Sequence, residues 1–297
     1  MSAYLLDGMV KNGFHIVGVI TQEDKPSGRK MLLTPSPVAK KAAELSIPCY
    51  KPHRLNKDFD FLYDLKPDLL LTFAYGQIIS ETILGLSKFK PLNFHGSLLP
   101  KYRGAAPLQY ALYNGETETG ISLMEMVKAM DAGDVYAVEK IPLSPEDNYS
   151  SLCVKTQELA LKMAVQYLPL YFEGKLTGVK QDESKVTFCP SIKKEQEHLA
   201  LTDPVQFVNH VRALADVPGA NLTRADGSLL KIYKASVYSS DVEAPAGTVV
   251  LARKKDIVLQ LEKGQVRLEL LQKPGKKVMS ALDFNNGTPN FTGEILK

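Results

Sequence analysis

The chain has 297 residues, 44% hydrophobic and 23% charged, with a net charge of +3. Such a composition supports a sizeable core, and the length suggests two domains. It excludes a histone-like basic chain, and so mild a positive balance permits a polyanionic partner without demanding one.

The three cysteines, Cys49, Cys153 and Cys189, are far apart and form no C-x-x-C pair, so neither a zinc site nor a redox motif is expected. Their number fits a reducing compartment. No apolar run approaches the ~18 residues of a membrane span. The start, Met-Ser-Ala-Tyr-Leu-Leu-Asp-Gly, has neither the basic residues nor the apolar stretch of a signal peptide. A cytoplasmic protein is expected, in which the sequons at Asn148, Asn221 and Asn290 are chance matches.

In chain order, Ser2 to Lys11 reads as a short helix, and the β-branched run Ile16 to Ile20 as a buried strand. Val38 to Leu45 is helix-like, and Pro48 to Tyr50 begins an extended piece. Pro67-Asp68 precedes a continuous apolar strand, Leu69 to Ala74, ended by Tyr75-Gly76. Leu92-Asn93-Phe94 is a shorter strand. Ala106 to Tyr113 is a helix closed by Asn114-Gly115. Gly120 to Met126 and Val135 to Lys140 read as strands, and Ser150 to Leu170 as a long amphipathic helix. Strands alternating with helices predict an α/β domain with a parallel, doubly wound sheet. Ligands of such sheets bind beyond the carboxyl ends of the strands, where Tyr75, Asn93 and His95 fall.

From about Gly174 to Ala200 the chain turns polar, with the charge run Lys193-Lys194-Glu195-Gln196-Glu197-His198, which reads as a linker or as a solvated helix of one continuous domain. Thr202-Asp203-Pro204 then starts a helix through Leu214. Short strands with period-two alternation follow at Leu229 to Val237, Gly247 to Leu251, Asp256 to Leu261 and Val266 to Leu271. Turns at Asp226-Gly227 and Lys263-Gly264 divide them. This spacing predicts a small β-barrel; an oligonucleotide-binding type is one option among several. The domains expected are 1–175, a linker 176–200, and 201–297.

Chemistry concentrates in Leu92-Asn93-Phe94-His95-Gly96-Ser97-Leu98-Leu99-Pro100, followed by Arg103-Gly104-Ala105-Ala106-Pro107. An amide and an imidazole two residues apart on a strand share a face. Gly96 lets backbone approach a ligand closely. Ser97, Leu98, Leu99 and Pro100 supply backbone groups and two leucines, a suitable wall for a flat heterocycle. Met130-Asp131-Ala132-Gly133-Asp134 also follows a strand. Asp131 would orient His95 and favour its protonated form. The three side chains suit acyl transfer between nitrogens: Asn93 and His95 stabilise an oxyanion, and Asp131 takes a proton from the attacking amine through water. No metal and no covalent nucleophile is required. Each residue alone is ordinary: Asn-x-His on a strand is usually structural, Asp-x-Gly-Asp is usually a turn, and Phe73 and Tyr75 are more often core than stacking groups. His15, His53, His198 and His210 lack such company and read as surface or core residues.

Together the block from Asn93 to Pro107, Thr119-Gly120-Ile121 and Asp131-Ala132-Gly133-Asp134 resemble the folate-dependent formyltransferase superfamily. The likeness is strongest to its members that act on methionyl-tRNA. Thr21 to Arg29 and Leu33 to Val38 resemble their insertion loop. Lys231-Ile232-Tyr233-Lys234-Ala235 and Pro274 to Ala281 resemble their tRNA-contacting barrel. The resemblance implies a Rossmann-like catalytic domain, a linker and an oligonucleotide-binding-like barrel. It implies formyl transfer from 10-formyltetrahydrofolate to initiator methionyl-tRNA by a monomer. Asn93, His95 and Asp131 take the catalytic roles, Ser97, Leu98, Leu99 and Pro100 the folate-binding roles, and Arg29 a place on the loop that probes the tRNA.

Two features depart from that pattern. The family's first strand, with its Gly-Thr-Pro turn, has no counterpart, and its loss should expose backbone partners on two neighbours and a large apolar surface. Lys30-Met31-Leu32 follows Arg29 in place of Gly-Lys-Lys, which weakens an electrostatic grip on tRNA. Two other readings stay open on the residues alone: a formyltransferase for an amino sugar-nucleotide or small amine, and a truncated, non-catalytic RNA-binding remnant.

Overall fold

Two interleaved units organise the chain in the computed structural model, which describes residues 1–28 and 31–297. The first comprises 1–107, 118–142 and 153–189; the second comprises 108–117, 143–152 and 190–297.

In chain order the elements of the first unit start with α1 (Ser2–Lys11), β1 (Val19–Ile20) and a hairpin of β2 (Lys25–Ser27) and β3 (Leu32–Thr34). Next come α2 (Pro37–Glu44), β4 (Cys49–Tyr50), α3 (Phe61–Leu65), β5 (Leu71–Phe73), α4 (Glu81–Leu84), β6 (Leu92–His95) and β7 (Arg103–Gly104). After α5 (Pro107–Tyr113), which falls almost wholly in the second unit, the first resumes with β8 (Glu118–Glu125) and β9 (Val135–Pro142). It ends with the greater part of α6 (Tyr149–Phe172) and with β10 (Phe188–Cys189). Local chemistry explains the best-defined boundary: Ser36 accepts a hydrogen bond from the Ala39 amide while Pro37 opens α2, a residue with no amide hydrogen to leave unmet.

The sheet is mixed rather than parallel throughout. β5 and β6 are parallel, but β8 runs antiparallel to β6 and to β9, giving the order β5-β6-β8-β9. Period-two alternation reports which face is buried and says nothing of direction. Antiparallel neighbours need no helical crossover, and β8 and β9 have none. Phe73, Phe94, Ile121 and Leu123 of this sheet pack with Leu5 and Met9 of α1 and Met163, Ala164 and Leu168 of α6.

β1 and β4 form a separate parallel pair. The amides of Val19 and Thr21 bond to Pro48 and Tyr50 on the β4 side. Between β1 and β5 lies a cleft of about 470 Å³ lined by Leu5, Met9, Ile16, Val19, Leu69 and Leu71, among others. Ser2 Oγ donates to the Phe73 carbonyl at 2.7 Å, holding the start of α1 to the end of β5.

In the second unit, Asp203 caps α7 (Pro204–Ala213) by accepting from the Val205 and Gln206 amides. The strands β11 (Ala220–Thr223), β12 (Leu229–Ser239), β13 (Val249–Arg253), β14 (Asp256–Leu261) and β15 (Gly264–Gln272) follow, then β16 (Met279–Ser280) and α8 (Ala281–Asn286). They pair antiparallel in the order β11-β12-β15-β14-β13, with β16 on β15. The core holds Phe207, Leu230, Ile232, Leu259, Leu268, Phe284 and Phe291.

Among the described residues no ladder joins β13 back to β11, so the expected barrel is not closed by the strands alone. The last residues run between those two edges instead. Val249 exchanges backbone hydrogen bonds with Gly293 and Glu294 at 2.8 and 2.9 Å, Leu296 donates to Gly247 at 2.8 Å, and Thr223 exchanges bonds of 2.6 and 2.8 Å with Lys297.

Of the stretch expected to be a linker, residues up to 189 fall in the first unit and residues from 190 in the second. β10, at its centre, pairs in parallel with β7. Within the second unit, Gln196 accepts at its carbonyl from His210 Nε2 at 2.6 Å.

Candidate active site

β6 places Asn93 and His95 on one face, with Asn93 half-buried and His95 only 5% exposed. The preceding strand fixes the amide: Thr72 Oγ1 donates to Asn93 Oδ1 at 2.8 Å. That leaves the Nδ2 hydrogens as the donors Asn93 can offer a ligand. His95 Nε2 lies 2.8 Å from the Tyr102 carbonyl oxygen, so it carries a hydrogen and donates. The Nδ1 edge therefore points away from that carbonyl, and Asp131 Oδ2 lies 3.6 Å from it.

Asp131 sits in the connection between β8 and β9, not beyond the carboxyl edge of another parallel strand. Its backbone is left-handed, with φ 52°, a conformation that a non-glycine residue adopts at a cost. The Gly104 amide donates to Asp131 Oδ2 at 2.8 Å. One carboxylate oxygen thus answers both Gly104 and His95.

The loop after β6 is clamped from β8. Ser122, fully buried, donates its hydroxyl to the Ser97 carbonyl at 2.8 Å and accepts from the Leu99 amide at 3.0 Å. Ser97 Oγ donates to the Lys101 carbonyl at 2.6 Å, and the Leu99–Pro100 peptide is cis. A Cβ on Gly120 would run into the Glu139 carbonyl and Leu98 Cδ2, so glycine there lets the loop lie flat against β8.

Beside the ends of β1 and β5 a cavity of about 610 Å³ is lined by Thr21, Gln22, Ser36, Tyr75, Gly76 and Gln77, among others. The Tyr75 hydroxyl is buried there with no hydrogen-bond partner among the described residues, and burial pushes its titration above the ordinary tyrosine range.

The family description "Formyl transferase" matches residues 2–168 and "Formyl transferase, C-terminal domain" matches 191–289. The chain belongs to the formyl transferase family. Among similar proteins, the methionyl-tRNA formyltransferase of Lactobacillus johnsonii is 39% identical over 286 residues, 95% of this chain and 91% of that protein. That of Dictyoglomus thermophilum is 42% identical over 287 residues, 94% and 92% of the two chains. A crystal structure of the N-formyltransferase from Helicobacter canadensis, in complex with folinic acid and dTDP-3-aminofucose, shares the fold with TM-score 0.67 at 17% identity, over 92% of this chain and 95% of that one.

Of the residues that resemblance to this family singled out, Asn93, His95 and Asp131 gather on one side of β6, and Ser97 to Pro100 form the loop beside them. Arg29 lies outside the described residues, and Met31, Leu32 and Leu33 are exposed. The basic strand of the second unit is engaged internally: Lys231 Nζ bonds the Pro218 carbonyl, and Lys234 lies 3.3 Å from Glu269 and 3.5 Å from Glu146. Lys276 and Lys277 are exposed.

Thr72, Ser122 and Gln181 escaped the sequence reading. Each acts by hydrogen bonding to a residue distant in sequence, a relationship that leaves no local pattern. Burial pushes the Cys189 thiol up to about 11, which disfavours the thiolate, and it donates to the Tyr102 carbonyl at 3.1 Å. Among the described residues no group of three His, Cys, Asp or Glu side chains is placed to hold a metal ion, and no helix is long and apolar enough to cross a membrane.

Proposed function

We propose that the protein transfers the formyl group of 10-formyltetrahydrofolate to the free amino group of initiator methionyl-tRNA, in the cytoplasm. The observation that carries this reading is identity of about 40% to methionyl-tRNA formyltransferases over nearly the whole chain. The arrangement of Asn93, His95 and Asp131 suits the chemistry.

The methionyl nitrogen attacks the formyl carbon while Asn93 Nδ2 and the Nδ1–H of His95, in the doubly protonated ring that Asp131 favours, face the oxygen on which charge develops. Donors already aimed at that oxygen need no reorganisation during the reaction. Asp131 takes the proton lost by the amine through a water molecule. As the new C–N bond forms, the bond from the formyl carbon to the folate nitrogen breaks, and that nitrogen receives the proton. No covalent enzyme intermediate is needed. Ser97, Leu98, Leu99 and Pro100 line the folate, and Ser122 holds two of their backbone groups in place.

On the same reading, residues 1–175 are the catalytic domain, 176–200 the linker and 201–297 an oligonucleotide-binding-type barrel that contacts tRNA. Arg29 approaches the acceptor stem. The C-terminal residues that bridge β13 and β11 support the barrel reading.

The test is transfer of labelled formyl from 10-formyltetrahydrofolate to methionyl-tRNA by the full chain, by His95→Ala and by Asp131→Ala. The parent should transfer label and both variants should lose it. No transfer by the parent sinks the substrate assignment, and undiminished transfer by both variants sinks the site.

A further inference from the structure

Gln181, in the segment before β10, makes four hydrogen bonds with one side chain. Its Nε2 donates to the carbonyl oxygens of Asp131 and Gly133, both at 2.8 Å. Its Oε1 accepts from Arg103 Nε at 3.0 Å and Nη2 at 2.9 Å. Arg103 is 4% exposed and is itself held by Glu183 through contacts of 2.7 and 3.2 Å. Both hydrogens and both lone pairs of the amide are thereby used, so it has a single satisfied orientation.

Two independent lines meet at Asp131. Its left-handed backbone persists only where the surroundings over-determine it, and Gln181 grips the carbonyl of that very residue. The residue after Arg103 is Gly104, whose amide holds the Asp131 carboxylate. One connected set, Glu183–Arg103–Gln181, therefore fixes the Asp131 backbone, while the strand bearing Arg103 fixes its side chain.

We infer that Gln181 is a positioning residue, which sets the Asp131 carboxylate against His95 Nδ1 without touching the reacting atoms. The inference rests on the proposed reaction for its kinetic consequence, but not for its structural one. Freed from Gln181, the Asp131 peptide relaxes towards a commoner backbone conformation and the carboxylate swings away from His95. A displacement of about 1 Å in a catalytic group costs up to about 100-fold in rate.

The experiment uses the full chain with Gln181→Leu and Gln181→Glu, beside Asp131→Asn. Gln181→Glu keeps the length and the partner for Arg103 but loses the donor to both carbonyls. Two quantities are read: kcat and the two KM values for formyl transfer, and the ring signals of His95 in the NMR spectrum, assigned by their loss in His95→Gln. Both Gln181 variants should lose about 10- to 100-fold in kcat with KM values within about threefold. The His95 ring signals should move in the direction seen in Asp131→Asn. A kcat within twofold of the parent, or unmoved His95 signals, overturns the inference. If Gln181→Leu fails to fold, Gln181→Glu decides alone. Full activity in Asp131→Asn, with the His95 signals still moved, removes Asp131 from the chemistry and leaves the placement of its carboxylate standing.

Discussion

His95 and Asp131 face each other across 3.6 Å without a hydrogen bond, each held by a different backbone group. The Tyr102 carbonyl holds His95 through Nε2, and the Gly104 amide holds Asp131 through Oδ2. Both anchors lie in one short stretch around β7, so a shift of that stretch moves imidazole and carboxylate together.

Asn93 offers its amide hydrogens because Thr72 occupies its oxygen. Asn93→Ala should lower kcat by about 100- to 1000-fold, as loss of one oxyanion donor does, with little change in KM. Thr72→Val leaves the donor present but free to turn, and should cost about fivefold, the worth of one ordinary hydrogen bond. Steady-state formylation kinetics check both, and equal losses in the two variants would contradict the orienting role of Thr72.

Ser122→Ala removes one hydroxyl and strands two buried backbone groups, the Ser97 carbonyl and the Leu99 amide. The expected cost is about 1–3 kcal/mol of stability, read from chemical denaturation, together with a raised KM for the folate donor. Gly120→Ala should give the same raised KM by a different route, since its new methyl meets both the Glu139 carbonyl and Leu98 and forces β8 and the loop apart. An unchanged KM in both would detach this loop from folate binding.

Burial holds the His210 imidazole below its ordinary value of 6.5, against the opposing pull of the Gln196 carbonyl it bonds and with the help of nearby His198. The unfolded chain therefore takes up a proton first as pH falls through 6.5. Stability contributed by neutral His210 is present above 6.5, drains away as pH falls towards the folded value, and changes no further below it. Melting followed by a probe in the second unit should show this acid slope in the parent and a shallower one in His210→Gln. Identical slopes would assign the effect to other groups.

The cleft between β1 and β5 carries an apolar lining that includes Leu5, Met9, Ile16, Leu69 and Leu71. A dye that fluoresces on apolar surface should bind the native protein there, and Leu71→Glu at the cleft wall should weaken the signal. Absence of dye binding at native pH would mean that the cleft closes in solution.

Much of this site could be read from the chain because its parts are local. Asn93 and His95 share a strand face by spacing alone, and the loop from Ser97 follows directly. The direction of β8 could not be read: its alternation is the same whether its neighbour runs parallel or antiparallel, so Asp131 reaches His95 by a route the sequence does not display. The run from Ile16 pairs as strand only at Val19 and Ile20, because hydrophobicity marks burial while a strand also needs a partner for its backbone. The join between β13 and β11 was hidden for the converse reason. Its last edge is bridged by residues 293–297, too short and irregular to show a period.

The two units trade the chain back and forth, with boundaries after residues 107, 117, 142, 152 and 189. No single protease cut can therefore liberate both units whole, and a fragment begun at residue 190 leaves two of its own segments behind. Chimeras that exchange the second unit between relatives must graft three pieces of chain at once, and a fragment lacking the first two would report on a damaged fold rather than on an isolated second unit.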